Sequence, residues 1–151
     1  MKLFAALLTM LLAGSAALAQ DCDFDCTVKK HLDAIQAQDF EAFAETITGD
    51  DTLSFILPNG FNTLDRARYL EMIKGWFAEE GWHLDYQVVN KRQSEDMGWV
   101  LLLVNYREDD RGGQPYAIDH FLLLIFEKQN GMWKLVHDQN TKTEIKPETE
   151  K

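Results

Sequence analysis

The amino-acid sequence predicts an α+β domain in which three N-terminal helices pack on a mainly antiparallel sheet. Apolar residues recur at helical spacing in residues 27–48 and again in residues 65–79. From Trp82 to Thr143 they follow strand patterns instead, and Asn130-Gly131 between two of those strands is a strong hairpin signal. Helices that are segregated from a run of antiparallel strands are typical of this fold class.

Two short helices are predicted at the start of the domain. The apolar residues repeat in two phases, first Val28, Leu32 and Ile35, and then Phe40, Phe43 and Ile47. Asp39 lies between the two sets and can cap the second helix, so we expect a break at Gln38-Asp39. His31 lies in the first helix, and we expect it at the surface or at its boundary.

A short strand and a third helix follow. Residues 52–57 (TLSFIL) have the composition of a strand, which ends at a Pro-Asn-Gly turn. Asp65 or Thr63 then caps a helix that runs to about residue 79. The broad apolar stripe of this helix includes Tyr69 and Trp76, which are either core residues or ligand contacts.

Four long strands are predicted after residue 81. Segment 82–95 alternates between apolar and polar residues, which indicates one solvated face and places His83 on it. Segments 99–108 and 116–127 are apolar on both faces, whereas the helices can cover only one of them. We therefore expect a homodimer in which a second copy of the chain covers the open face of the sheet.

The turn at Asn130-Gly131 predicts which side chains share a face of the last hairpin. With a loop of two or four residues, even-numbered residues before the turn lie beside odd-numbered residues after it. The face that places polar side chains among aromatic ones is the candidate pocket. Its residues include Tyr116, His120, Trp133, His137 and Gln139. The same register places Asp119, Asp138 and Asn140 on the opposite face.

Acid–base chemistry is the activity that the candidate pocket suggests. His120 or His137 could accept a proton, while Tyr116 or Gln139 could donate a hydrogen bond to a developing oxyanion. Alternatively, both histidines line the pocket without any chemistry and hydrogen-bond to each other, to Gln139 or to water. The neighbouring acidic side chains are expected on the other face, so no metal site and no cofactor are predicted.

The first 19 residues have the pattern of a secretory signal peptide, with an early cation, an apolar run and the small-residue end Ala17-Leu18-Ala19. Cleavage after Ala19 predicts an exported protein, periplasmic or secreted, with no membrane anchor. Of the 15 Lys and Arg only Lys2 is removed, which leaves 14 against 25 acidic residues and a net charge near −11. Such a surface repels phosphate backbones, so nucleic acid is not an expected partner.

Residues 20–26 form an acidic segment that contains Cys22 and Cys26. In an exported protein these cysteines can close a small loop at the start of the first helix, pair between two chains, or remain free thiols. No histidine stands at ligand spacing, which argues against a metal site in this segment. Residues 144–151 are charged, include a proline and have nothing to bury, so we interpret them as a tail.

The ordered set of elements resembles the SnoaL-like branch of the nuclear transport factor-like superfamily. The resemblance rests on the broken helix at Gln38-Asp39-Phe40-Glu41-Ala42, the strand that ends near Pro58-Asn59-Gly60, and the closing residues 130–138 (NGMWKLVHD). It covers about residues 25–143, and we assign the domain to residues 27–143. The resemblance implies a cone-shaped fold, with a strongly curved sheet wrapped around the helices, a pocket inside the cone and frequent dimers across the sheet.

Two functions follow from these features. The first is an exported protein that binds a small, mostly apolar molecule in the cone pocket, with the isomerase-like or cyclase-like acid–base chemistry that the resemblance implies. The second is a non-enzymatic association module whose cone is filled by its own side chains. The predicted pocket contains no carboxylate in the position of the isomerase base.

Overall fold

The computed structural model describes residues 22–143, which form three helices and six strands. The helices are α1 (Phe24–Gln36), α2 (Phe40–Ala44) and α3 (Arg66–Phe77). The strands are β1 (Thr52–Ile56), β2 (Asn62–Asp65), β3 (Trp82–Gln93), β4 (Met97–Glu108), β5 (Tyr116–Gln129) and β6 (Met132–Lys142). The predicted signal peptide at 1–19 and the predicted tail at 144–151 lie outside the described residues. No helix within residues 22–143 is long and apolar enough to cross a membrane.

The strands form one curved, open sheet in the order β2-β1-β6-β5-β4-β3. Neighbouring strands are antiparallel except β1 and β6, which run parallel. The helices pack on one face of this sheet, and the predicted cone-shaped α+β fold is confirmed. The edge strand β2 was not predicted, because its four residues follow a turn directly and the sequence there suggested only a helix cap.

An aspartate begins each helix. The side chains of Asp23, Asp39 and Asp65 each accept a hydrogen bond from the backbone N–H three residues ahead, which satisfies a donor that the first turn leaves unpaired. The predicted break between α1 and α2 is present. It contains Gln38, whose φ of +55° is not helical and interrupts the helix. Helix α1 begins at Phe24, earlier than the predicted residue 27.

Cys22 and Cys26 form an intramolecular disulfide around the first turn of α1. Of the three predicted alternatives, the structure therefore contains the small closed loop. Phe24 lies within this loop and is buried in the core. Its ring packs edge-on against Phe126 of β5 and Trp133 of β6, at centroid distances of 5.9 and 5.3 Å. The disulfide loop is thereby held against the end of the sheet that lies near the Asn130-Gly131 turn.

The core lies between the helices and the concave face of the sheet. The buried apolar side chains of β4 and β5 alternate along each strand and are Val100, Leu102, Val104, Leu122, Leu124 and Phe126. The residues between them form the outer face, where Trp99, Leu101, Leu103, Leu123 and Ile125 are only partly buried. Phe121 on the same face is 38% exposed. The two apolar faces predicted for these strands are therefore present.

The prediction that His31 lies near the surface is wrong. His31 follows Val28 by three residues and precedes Ile35 by four, so it shares their inward face of α1 and is fully buried. Its Nδ1 lies 2.8 Å from Thr46 Oγ1, and its ring packs on Phe43 at a centroid distance of 4.6 Å. Burial lowers the pKa of His31 to about 3, so the ring is a neutral part of the core.

We predict that Gly98→Ala destabilises the protein, because a Cβ at this position of β4 would lie 2.5 Å from the ring of Phe24. Overpacking of this kind lowers the free energy of unfolding by about 1–3 kcal/mol, which urea denaturation can measure. Gly75→Ala is the matched control, since a Cβ there meets no atom within 4 Å. Alanine within α3 should raise stability by roughly 0.5–1 kcal/mol. Equal stability of Gly98→Ala and the wild type would contradict the close packing of Phe24 on β4.

Candidate functional site

A cavity of about 590 Å³ lies between the helices and the concave face of the sheet. Its inner wall is apolar and is formed by buried residues that include Ile35, Phe43, Phe55, Ile73 and Leu122. Its mouth carries the aromatic and charged residues Trp76, Glu79, Tyr106, Glu108, Arg111, Tyr116 and Lys142. A mostly apolar concavity of this size with few polar groups is typical of a small-molecule site.

A bulge in β6 determines which side chains enter this cavity. Leu135 of β6 pairs with Phe126 of β5, but the next pair joins His137 to Ile125, so Val136 is an extra residue on β6. The Asn130-Gly131 turn has a loop of two residues, the shorter of the two predicted lengths, with positive φ at both positions. The sequence-based register is therefore correct up to Leu135 and shifts by one residue beyond it.

The shift exchanges the two faces of β6 after the bulge, because successive side chains of a strand point to opposite faces. Asp138 and Asn140 line the cavity, although the sequence placed them on the opposite face. His137 and Gln139 lie on the outer face, where His137 Nε2 is 3.2 Å from Gln139 Oε1. Their predicted placement in the pocket is wrong, and the bulge is the physical reason.

Asp138 is at the centre of the polar group inside the cavity. It is 7% exposed, and each of its oxygens accepts a hydrogen bond. The hydroxyl of Tyr69 on α3 donates to Oδ2 at 3.0 Å, and the side-chain amide of Asn140 donates to Oδ1 at 2.9 Å. The same amide donates to the backbone carbonyl of Ile56 at 3.2 Å, which fixes its orientation. The carboxyl group is thus held by Tyr69 of α3 on one side and on the other by Asn140 of β6, which β1 orients.

Burial raises the pKa of Asp138 to about 7. The hydrogen bonds from Tyr69 and Asn140 act in the opposite direction, because they stabilise the carboxylate. The pKa of the Tyr69 hydroxyl is raised well above its usual value, by burial first and then by the neighbouring Asp138. At neutral pH Asp138 therefore populates both its protonated and its ionised form, while Tyr69 keeps its proton and remains a donor.

His120 of β5 lines the same cavity and is 7% exposed. Burial lowers the pKa of its ring, although the side chain of Asn140 acts to raise it. Its Nδ1 is buried and has no hydrogen-bond partner among residues 22–143. The cavity is therefore lined both by a neutral imidazole and by a carboxyl group that titrates near neutrality. Within the same residues, no group of three His, Cys, Asp or Glu side chains could hold a metal ion.

Four of the predicted site residues line the cavity, namely Tyr69, Trp76, Tyr116 and His120. Trp133 does not line the cavity. It lies on the inward face of β6, but its ring packs against Phe24 near the Asn130-Gly131 turn. Part of the predicted site is therefore present, but Asp138 and Asn140 of β6 occupy the cavity in place of His137 and Gln139.

Asp138 and Asn140 are the two residues of the polar group around the carboxyl that the sequence placed on the wrong face. One signal for the bulge is present in the chain, since the consecutive apolar residues Leu135 and Val136 break the alternation of Trp133, Lys134 and Leu135. The four residues after Val136 are all polar, so no apolar alternation could fix their faces. Their orientation follows from pairing with distant strands.

Residues 26–140 match a family model described as a SnoaL-like domain. No curated protein sequence matches the chain. Among solved structures, a ketosteroid isomerase-like protein from Erwinia carotovora atroseptica is similar with a TM-score of 0.65 and 20% identity, over 82% of this chain and 94% of that one. A protein with a cystatin-like fold from Caulobacter vibrioides has a TM-score of 0.69 and 13% identity, over 80% and 87% of the two chains.

The association domain of CaMKII from C. elegans is also similar in structure. Its TM-score is 0.56 and its identity is 20%, over 76% of this chain and 89% of that one. At these identities the similarities establish the fold and not the activity. The same fold thus occurs in a protein similar to an isomerase and in a domain that associates.

We predict that the carboxyl carbon of Asp138 titrates with a midpoint near pH 7 in ¹³C NMR, because burial raises its pKa to about 7. Asp138→Asn assigns the resonance by removing it. Tyr69→Phe should move the midpoint upward, since it removes a hydrogen bond that stabilises the carboxylate. A midpoint near the ordinary value of 3.8 would contradict the buried position of the group.

The same pKa shift predicts how stability depends on pH. The folded-state pKa lies above the unfolded value, so protonated Asp138 favours the folded state. This contribution to the free energy of unfolding is fully present below about pH 4 and is lost as the pH rises through 7. Relative to Asp138→Asn, the wild type should lose roughly 4 kcal/mol of unfolding free energy between these limits. A constant difference between the two proteins across this range would contradict the assignment.

Proposed function

The chain belongs to the SnoaL-like domain family, and we propose that it is an exported protein that binds a small, mostly apolar molecule in the cavity and moves a proton on that molecule. The observation that carries this proposal is the carboxyl group of Asp138, which is buried in an apolar cavity and has its pKa raised to about 7. A general base is most effective when its pKa lies near the working pH. The similarity in fold to a ketosteroid isomerase-like protein supports this class of chemistry.

The proposed step is removal of a proton from a carbon next to a carbonyl group. The C–H bond breaks, the proton passes to an oxygen of Asp138, and the electron pair forms an enolate. Each oxygen of the carboxylate keeps a lone pair beyond the hydrogen bonds from Tyr69 and Asn140. His120 is neutral, so its N–H can donate to the enolate oxygen. Return of the proton to a second carbon would complete an isomerisation.

We predict that the protein accelerates exchange of the α-protons of 2-tetralone in D₂O, measured by ¹H NMR. This ketone is a neutral, apolar probe of the reaction class and requires no knowledge of the natural substrate. The rate should rise as the pH increases through about 7, because Asp138 acts as the ionised base. Asp138→Asn should lower it by at least about 100-fold, the usual contribution of a positioned base.

His120→Ala and His137→Ala form a matched pair for the same assay. His120 lines the cavity, so its loss should slow the exchange, whereas His137 lies on the outer face and its loss should not. Equal rates for the wild type and Asp138→Asn would refute the proton transfer. If Ile118→Trp, which fills the cavity from β5, left the rate unchanged, the cavity would not be the site.

Association through the outer face of the sheet is a second candidate function. Leu101, Leu103 and Leu123 are only partly buried there, beside the more exposed Phe121. Four strands of about twelve residues span roughly 800 Å², which is the area that each partner of a standard interface buries. The structural similarity to an association domain supports this candidate. The proposed partner is a second copy of the chain.

We predict that the wild type is a homodimer at micromolar concentration and that Leu103→Glu is a monomer, as measured by native mass spectrometry. Leu103 is central on the outer face, where a buried, unpaired charge would cost several kcal/mol. Leu64→Glu is the control, because Leu64 is 66% exposed on β2 at the far edge of the sheet. A monomeric wild type would refute the dimer. The same spectrum of protein from the periplasm reports whether residues 1–19 are removed.

A further inference from the structure

Arg111 is held in a fixed position at the mouth of the cavity. Its Nε donates to Glu108 Oε2 at 2.6 Å, and its Nη2 donates to the other oxygen of the same carboxylate. The guanidinium also lies over the ring of Tyr116, 3.5 Å from the centroid. A paired carboxylate on one edge and an aromatic ring on one face leave this cation little freedom.

The support for Arg111 extends across the mouth to α3. The hydroxyl of Tyr106 donates to Glu108 Oε1 at 2.6 Å, and Trp76 Nε1 donates to the oxygen of Tyr106 at 3.2 Å. Side chains from α3, β4, β5 and the β4–β5 loop are therefore joined around the opening. Preorganisation of this kind lowers the entropy that a ligand contact would cost.

The guanidinium retains the ability to donate hydrogen bonds. An arginine carries five N–H groups, and Glu108 engages one on Nε and one on Nη2. The side chain is 49% exposed, so a molecule in the mouth can reach it. Glu108 already balances its charge and would repel a second carboxylate. The arrangement therefore favours an uncharged acceptor, such as a carbonyl oxygen, over an anion.

The position of Arg111 relative to His120 sets the length of such a molecule. Tyr116, Ile118 and His120 alternate along β5 and all line the cavity. Four residues of a strand span about 13 Å, so the guanidinium over Tyr116 and the imidazole of His120 lie at opposite ends of the wall. Ile118 between them is apolar. The wall thus has a polar group at each end and an apolar middle.

We propose that Arg111 forms a second polar subsite, which selects an elongated, uncharged and mostly apolar molecule with one acceptor oxygen at each end. One oxygen contacts the group of His120 and Asp138, the other contacts Arg111, and the apolar body packs along Ile118. This inference rests on the proposed ligand-binding function of the cavity and adds the chemical class of the ligand.

The test compares two ketones of equal chain length, 2,11-dodecanedione and 2-dodecanone. The carbonyl groups of the diketone lie about 11 Å apart when the chain is extended. Binding is followed by the fluorescence of Trp76, which lines the cavity and stacks on the buried Trp82 at a centroid distance of 4.3 Å. A hydrogen bond to a charged group should let the wild type bind the diketone about tenfold more tightly than the monoketone.

Arg111→Ala should abolish this tenfold preference, and an unchanged circular dichroism spectrum would show that the variant is folded. Arg107→Ala is the matched control and should keep the preference. Arg107 forms an ion pair with Asp85 and does not line the cavity. If the wild type binds both ketones equally, the second subsite is refuted and the cavity proposal stands. If it binds neither ketone, the cavity proposal fails, and this inference fails with it.

Discussion

The extra residue in β6, Val136, is the constraint on which the chemistry of the cavity depends. Before it, Leu135 exchanges backbone hydrogen bonds with residues 46–48 at 2.8 and 3.0 Å, and after it β6 pairs with β1. The bulge therefore lies where β6 changes its neighbour. A regular strand would direct His137 into the cavity and Asp138 away from it. One inserted residue thus replaces an imidazole with a carboxyl group at the centre of the site.

The protonation of Asp138 reflects two opposing effects. Removing a carboxylate from water disfavours its charged form, and this effect is the larger one here. Hydrogen bonds from Tyr69 and Asn140 recover part of that cost, which leaves the pKa near 7 instead of higher. Tyr69 and Asn140 each bond to one oxygen, so both residues are needed to hold the carboxyl group. The result is a carboxyl group that is fixed in orientation and populates both protonation states near neutral pH.

The sequence predicted those features that local signals determine. Asp39 caps α2 and Asn130-Gly131 forms the two-residue turn because each needs only its immediate neighbours. The faces of β6 beyond Val136 could not be predicted from local signals. They depend on the point at which β6 stops pairing with residues 46–48 and begins to pair with β1. For His31, in contrast, a local signal was present but the prediction was still wrong. Its helical phase with Val28 indicated burial, but its polarity favoured a surface position, and the phase decided the outcome.

The cavity and the outer face use opposite sides of the same strands, so the two proposed functions do not compete for residues. On β5, His120 points into the cavity and Phe121 points outward. A partner on the outer face would remove Phe121 from water without touching His120. It would also cover His137, whose half-buried ring already bonds to Gln139 and needs no role in the cavity.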